Sequence, residues 1–180
     1  MKKILFVLVL AAGAAGLGFA GGSVEVEPVV DSEGYTTVET EDVVLKWKIS
    51  EENAEFIVGA PTQGWIGVGF DPSNAMKDAN FIIGYVQNGE LVIEDHFGEG
   101  PFAHKPDREL GGTNDILEYT GSEAETGTEM QFTIPLDSGD SYDTLIEKGG
   151  EHVILIAYGP DRSDNFETKH AKRIRFSVTM

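Results

Sequence analysis

A chain of 180 residues, 41% hydrophobic and 24% charged, has the material for one domain with a real core, and it carries a formal net charge of −18. Such acidity excludes a nucleic-acid binder, because the surface repels a phosphate backbone, and it works against anionic membrane surfaces too. The absence of cysteine excludes disulfides, thiolate metal sites, cysteine nucleophiles and a lipid-modified cysteine.

The first segment is unlike the rest. Lys2 and Lys3 precede an unbroken apolar run, Ile4–Leu10, and mostly small residues continue to Phe19, with Gly18 and Ala20 where a signal peptidase reads the chain. Residues 1–20 are therefore expected to be a signal peptide cleaved after Ala20, giving a secreted or periplasmic protein. The rival is a retained anchor, but the strongly apolar part is short for a spanning helix of about 20 residues, and Gly13, Gly16 and Gly18 weaken it. After cleavage no stable membrane insertion is expected. Loss of Lys2 and Lys3 takes the charge from −18 to −20, which reads as extracellular solubility or as docking to a basic partner.

Residues 21–42 are acidic and read as an arm or an edge strand; residues 43–180 read as one domain. Period-two alternation at Val24–Glu27, Val44–Ile49, Glu55–Val58 and Leu91–Asp95 marks half-buried strands. Trp65–Phe70 and Phe81–Val86 are continuously apolar and read as central strands buried on both faces. Asn88-Gly89 predicts a tight hairpin pairing Phe81–Val86 with Leu91–Phe97. Further strands are expected at Ile116–Thr120, Glu129–Ile134, His152–Tyr158 and Lys172–Thr179, and a short helix at Ser141–Lys148 closed by Gly149-Gly150. About ten short strands argue for an all-β fold, an antiparallel β-sandwich, with a closed barrel as its competitor.

Several side chains invite a chemical reading. Met76 sits in the loop Asp71–Asn80 among small, polar and charged neighbours, so it either caps the core or offers a soft thioether ligand. His170 lies among Lys169, Lys172, Arg173 and Arg175, the one concentrated basic patch. Those cations either pair with acidic groups of a ligand or guard a strand edge. His96 and His104, with Asp95 and Asp107, make either a divalent metal site or a plain surface loop; the spacing matches no closed zinc motif, and the loop is the preferred reading. His152 opens a strand and reads as structural. Asp71, Asn74, Asp78 and Asn80 offer hard oxygens for calcium, as do Asp137, Asp140 and Asp143, but neither set has EF-hand spacing. No hydrolase, zincin, phosphate-loop or dinucleotide motif is present.

Taken together, Gly64–Asp71, Met76-Lys77-Asp78-Ala79-Asn80, Phe81–Val86, Asp95-His96-Phe97, Gly111–Ile116 and Lys169–Arg173 resemble the signature of the DOMON domain over roughly Val43 to Thr179. The resemblance implies an immunoglobulin-like sandwich that binds haem or sugar. It is nearest in pattern to the haem b cytochrome domain of cellobiose dehydrogenase and the haem subunit of ethylbenzene dehydrogenase. From the former it implies Met76 and His170 as axial metal ligands of a haem b. From the latter it implies Lys169 or Lys172 as a fallback for His170. Walls of Trp65, Phe70, Phe81 and Tyr85, and propionate contacts from Lys172 and Arg173, complete the expected cofactor site. Without a C-x-x-C-H motif the haem is not covalently attached. Iron with both axial positions filled passes electrons rather than binding substrate, so the expectation is an electron-transfer protein that serves a redox partner and is not itself an enzyme. The alternatives are a carbohydrate-binding module or a non-catalytic interaction domain on the same sandwich. Buried patterning around Trp47 and Trp65 counts against a sugar platform.

Overall fold

The computed structural model describes residues 23–180; the signal segment expected at 1–20 lies outside them. Twelve strands and one helical turn follow in order: β1 (Val29–Val30), β2 (Thr36–Glu39), β3 (Val44–Ile49), β4 (Asn53–Ala60), β5 (Ile66–Phe70), β6 (Asn80–Gln87), β7 (Glu90–Gly100), β8 (Ala103–Pro106), α1 (Asp107–Leu110), β9 (Glu118–Ala124), β10 (Gly127–Pro135), β11 (Glu151–Tyr158) and β12 (Lys172–Thr179). They form two six-stranded antiparallel sheets, in the orders β1-β2-β3-β4-β10-β9 and β12-β11-β5-β6-β7-β8. Neither sheet closes on itself, so the structure is a sandwich and not a barrel.

Alternation does the work of assembly. β4 alternates half-buried and buried residues along its whole length, with Ala54, Phe56, Val58 and Ala60 facing inward. Phe56 meets Phe70 of the opposite sheet at 5.1 Å between ring centres and stacks on Phe132 of β10 at 5.3 Å. With Trp47, Val68, Ile82, Ile154 and Phe176 they fill the inter-sheet core. Each such side chain contributes about 1.5–3 kcal/mol by leaving water.

The hairpin expected at Asn88-Gly89 is present, with φ of 54° and 81°, joining β6 and β7 in register. Three expectations are corrected, the first being Val24–Glu27, which is not a strand although Val24 N–H donates to Arg175 O at 2.8 Å. Ser141–Lys148 is not a helix: the Asp140 carboxylate takes the Tyr142 N–H at 3.0 Å, Ile146 N–H bonds to Leu136 O at 2.8 Å, and Ile146 is drawn into the core. Side-chain acceptors have outcompeted the helical ladder. His96 and His104 do not lie in a surface loop; they sit on the paired strands β7 and β8.

Residues paired across a ladder share a face, so the registers of the second sheet define its outer surface. One row reads Arg175, Leu155, Gly69, Phe81, His96, Pro106; the next reads Arg173, Ala157, Gly67, Ile83, Glu94. β5 contributes only glycine to both rows, so neighbouring side chains such as Phe81 and Trp65 lean over the middle of this face, which is flanked by apolar residues and edged by two arginines.

Candidate functional site

Two loops reach this face from opposite ends of the sheet. The β5–β6 loop carries Met76 and leaves at Phe70; the β11–β12 loop carries His170 and leaves at Tyr158, which pairs with Ile66 at the other end of β5.

The Met76 loop docks on the β7–β8 hairpin. Met76 N–H donates to Pro101 O at 3.4 Å, Asp78 N–H to Gly98 O at 2.8 Å, and Gly98 N–H to Ala79 O at 2.9 Å. The Met76 carbonyl lies directly over Gly98, where any Cβ would collide with it. Glycine is required there by close approach of two backbones. Met76 itself is half-buried.

The His170 loop is clamped by Trp65, whose Nε1 donates to Thr168 O at 3.0 Å, while Gly159 N–H donates to Trp65 O at 2.8 Å. From this anchorage Phe166 reaches across the sheet to rest 5.0 Å from Tyr85 and 5.6 Å from His96. His170 is half-buried, and burial first, then Arg173 and Lys169, lowers its pKa below the ordinary histidine value. A neutral imidazole retains a lone pair for a metal at pH 7.

The expected walls divide. Phe81 leans over Gly69, and Tyr85 stands beside Phe166, both on the outer face. Trp65 packs against Gly67 and is only 7% exposed. Phe70 is fully buried on the opposite side of β5 and belongs to the inter-sheet core, not to this face. The expected propionate contacts divide likewise. Arg173 is on the outer face, but Lys172 alternates to the inner side of β12 and pairs with Asp42 at 2.8 Å.

Three contributors to this face stand outside the expected cofactor site, and two of them, His96 and His104, read in the sequence as a metal pair or a surface loop. His96 and His104 approach at 2.9 Å between their Nδ1 atoms, and Glu94 holds His96 Nε2 at 3.1 Å. His96 is 3% exposed, and burial, then the neighbouring His96, pushes His104 down to about 4. Alternation along β7 sends His96 outward and Asp95 inward, so these histidines share no site with Asp95. Phe166 is the third, and an isolated aromatic in a polar loop was its only signal. The first calcium set does not stand together: Asp71 is engaged by His152 at 2.7 Å and Asp78 by Ser73 at 2.5 Å, while Asn80 bonds to Asp143. Both tryptophans are buried, Trp47 at 2% and Trp65 at 7% exposure, which leaves no indole platform for a sugar ring.

No helix among the described residues is long and apolar enough to cross a membrane. The human protein named DBH-like monooxygenase protein 1 is 29% identical over 148 residues, covering 81% of this chain and 22% of that protein. The fold is similar to the cytochrome b domain of pyranose dehydrogenase from Coprinopsis cinerea, with TM-score 0.62, 12% identity, and coverage of 86% of this chain and 88% of that one. It is also similar to the cytochrome domain of Myriococcum thermophilum cellobiose dehydrogenase, with TM-score 0.56, 9% identity, and coverage of 86% and 88%. The expectation that this protein is not an enzyme is corrected by the first of these, a relative named a monooxygenase. That expectation rested on an iron with both axial positions filled, and it judged the whole protein from a chain that spans 22% of this relative's length. The DOMON domain matches residues 39–159, well over half of the chain, and the protein belongs to the DOMON domain family.

Proposed function

We propose that the outer face of the second sheet binds a b-type haem with Met76 and His170 as axial ligands, and that the protein passes single electrons to or from a redox enzyme. The observation that carries this reading is that the Met76 and His170 loops come to one outer face of the second sheet from its two ends, over a centre where β5 supplies only glycine. Gly67 and Gly69 carry no side chain between Leu155 and Ala157 on one side and Phe81 and Ile83 on the other, and the Phe81 ring leans into the space over Gly69 while Trp65 and Ile83 lie over Gly67. A side chain at Gly69 would fill the cradle and strike the Phe81 ring.

The donor chemistry fits the same group. A thioether and a neutral imidazole are soft-to-borderline ligands suited to iron, and they come from loops at the two ends of one face. Arg173 and Arg175 edge that face, where two carboxylates of a cofactor would find bidentate partners. Tyr85, Phe166 and Trp65 exclude water from it. Held by Met76 and His170, haem would supply one-electron chemistry. Met76 favours the reduced state, and the hydrogen bond from Trp65 to Thr168 holds the loop that presents His170. The resemblance of the fold to cytochrome domains of two dehydrogenases supports the reading.

Expression with export and haem supply tests it. The expected product is red, with a Soret band that shifts or vanishes in Met76→Ala and in His170→Ala. A colourless protein that also refuses added haem overturns the proposal.

A further inference from the structure

On the opposite, inward side of the same sheet lies a second cluster that the haem reading does not use. Asp95 of β7, Asp107 at the start of α1 and Asp143 of the β10–β11 connection each bring one carboxylate oxygen within 4.8 Å of the others. Asp95 is 2% exposed and Asp107 fully buried. Among the described residues no lysine or arginine pairs with any of them.

The hydrogen bonding is incomplete in a patterned way. Asp95 Oδ1 and both oxygens of Asp107 are buried without a donor. Asn80, 3% exposed, donates from Nδ2 to Asp143 Oδ1 at 2.5 Å, and its own Oδ1 is left without a partner. From outside, the Asp115 N–H donates to Asp95 Oδ2 at 3.2 Å and the Ser138 side chain donates to Asp143. Four oxygens on these side chains are without a donor, and one of them belongs to a neutral amide that no protonation can satisfy. An unpaired buried carboxylate is costly, and three together are more so. Burial first, then mutual repulsion, raises Asp95 to about 8 and Asp107 to about 7.

We propose that Asp95, Asp107 and Asp143, with the Asn80 amide oxygen, hold one calcium-class divalent cation that fastens the start of β6 and the middle of β7 to the connection before β11. All donors are hard oxygens, with no nitrogen or sulfur, which selects calcium over zinc. Three carboxylates from three chain segments, plus an amide and water, match the ligand number calcium takes, whereas magnesium asks for a stricter octahedron.

The full chain, stripped with chelator, is titrated with Ca²⁺ alone by calorimetry and then melted with and without it. One Ca²⁺ per chain, a raised melting midpoint, and at least tenfold weaker binding in Asp107→Asn and in Asp143→Asn are expected. Mg²⁺ at equal concentration raises the midpoint less. The stripped Asp107→Asn melts no lower than the stripped parent, because a repelling charge is gone. Absence of a one-to-one isotherm in the unmutated chain overturns the proposal, as does an equal Ca²⁺ response in parent and variants, which would mark mere screening of the acidic surface.

Discussion

Gly98 links the sequence to the Met76 loop through a single missing atom. A Cβ at this position would run into the Met76 carbonyl and crowd the Ala79 N–H. Both obstacles are backbone, so no rotamer change relieves them. In Gly98→Ala the loop must lift, straining or breaking Asp78 N–H to Gly98 O and Gly98 N–H to Ala79 O. Overpacking of this kind costs about 1–3 kcal/mol, and each backbone bond about 0.5–1.5 kcal/mol, so the expected loss is about 2–4 kcal/mol. For a domain of this size that lowers the midpoint by roughly 5–15 °C. Urea unfolding followed by tryptophan fluorescence reads the change. Gly100→Ala is the internal control, two residues along the same strand, because a Cβ there meets nothing within 4 Å. It should change stability by less than about 0.5 kcal/mol. Equal losses in the two variants would refute the close-approach argument, and a Gly98→Ala as stable as its parent would refute the placement of the loop.

The remaining expectations are simpler to state. The folded-state pKa of His104 is depressed, so its contribution to stability is complete above the unfolded value near 6.5 and is lost as pH falls toward about 4. The parent should therefore lose up to about 1.4 kcal/mol per pH unit more than His104→Gln across that window; parallel pH profiles would contradict it. Phe166→Ala should leave the melting midpoint within a few degrees but speed hydrogen exchange at Tyr85 and His96, because the ring covers them without joining the inter-sheet core. Lys172→Ala should cost at most about 1 kcal/mol through its surface pair with Asp42 and leave any haem affinity unchanged, while Arg173→Ala should weaken it severalfold; the reverse order would place the propionates on the wrong side of β12.

Local pattern carried the architecture. β3 and β12 begin and end where alternation placed them, and the Asn88-Gly89 turn fixes the register of β6 on β7, because period-two burial and a positive-φ turn are properties of neighbouring residues. The family, too, was written in a contiguous block, Gly64 to Val86. What adjacency could not express was which face each residue would occupy at a distance. Phe70 and Phe81 look alike as wall residues, yet one is core and the other outward, since β5 and β6 meet in a register that puts Gly69 opposite Phe81. Lys172 and Arg173 are neighbours in the chain and part company across a strand for the same reason.

The side-chain clusters depended on tertiary structure altogether. Asp95, Asp107 and Asp143 are each an ordinary acid in an acidic sequence, and only the docking of the β10–β11 connection against β6 and β7 brings them together without countercharge. His96 meets His104 because β7 pairs with β8, where the composition of the segment pointed to a loop. Strand formation follows from side-chain periodicity and can be read one residue after another. A site is a matter of distances between segments dozens of residues apart, and those distances are set only when two sheets bury their inner faces against each other.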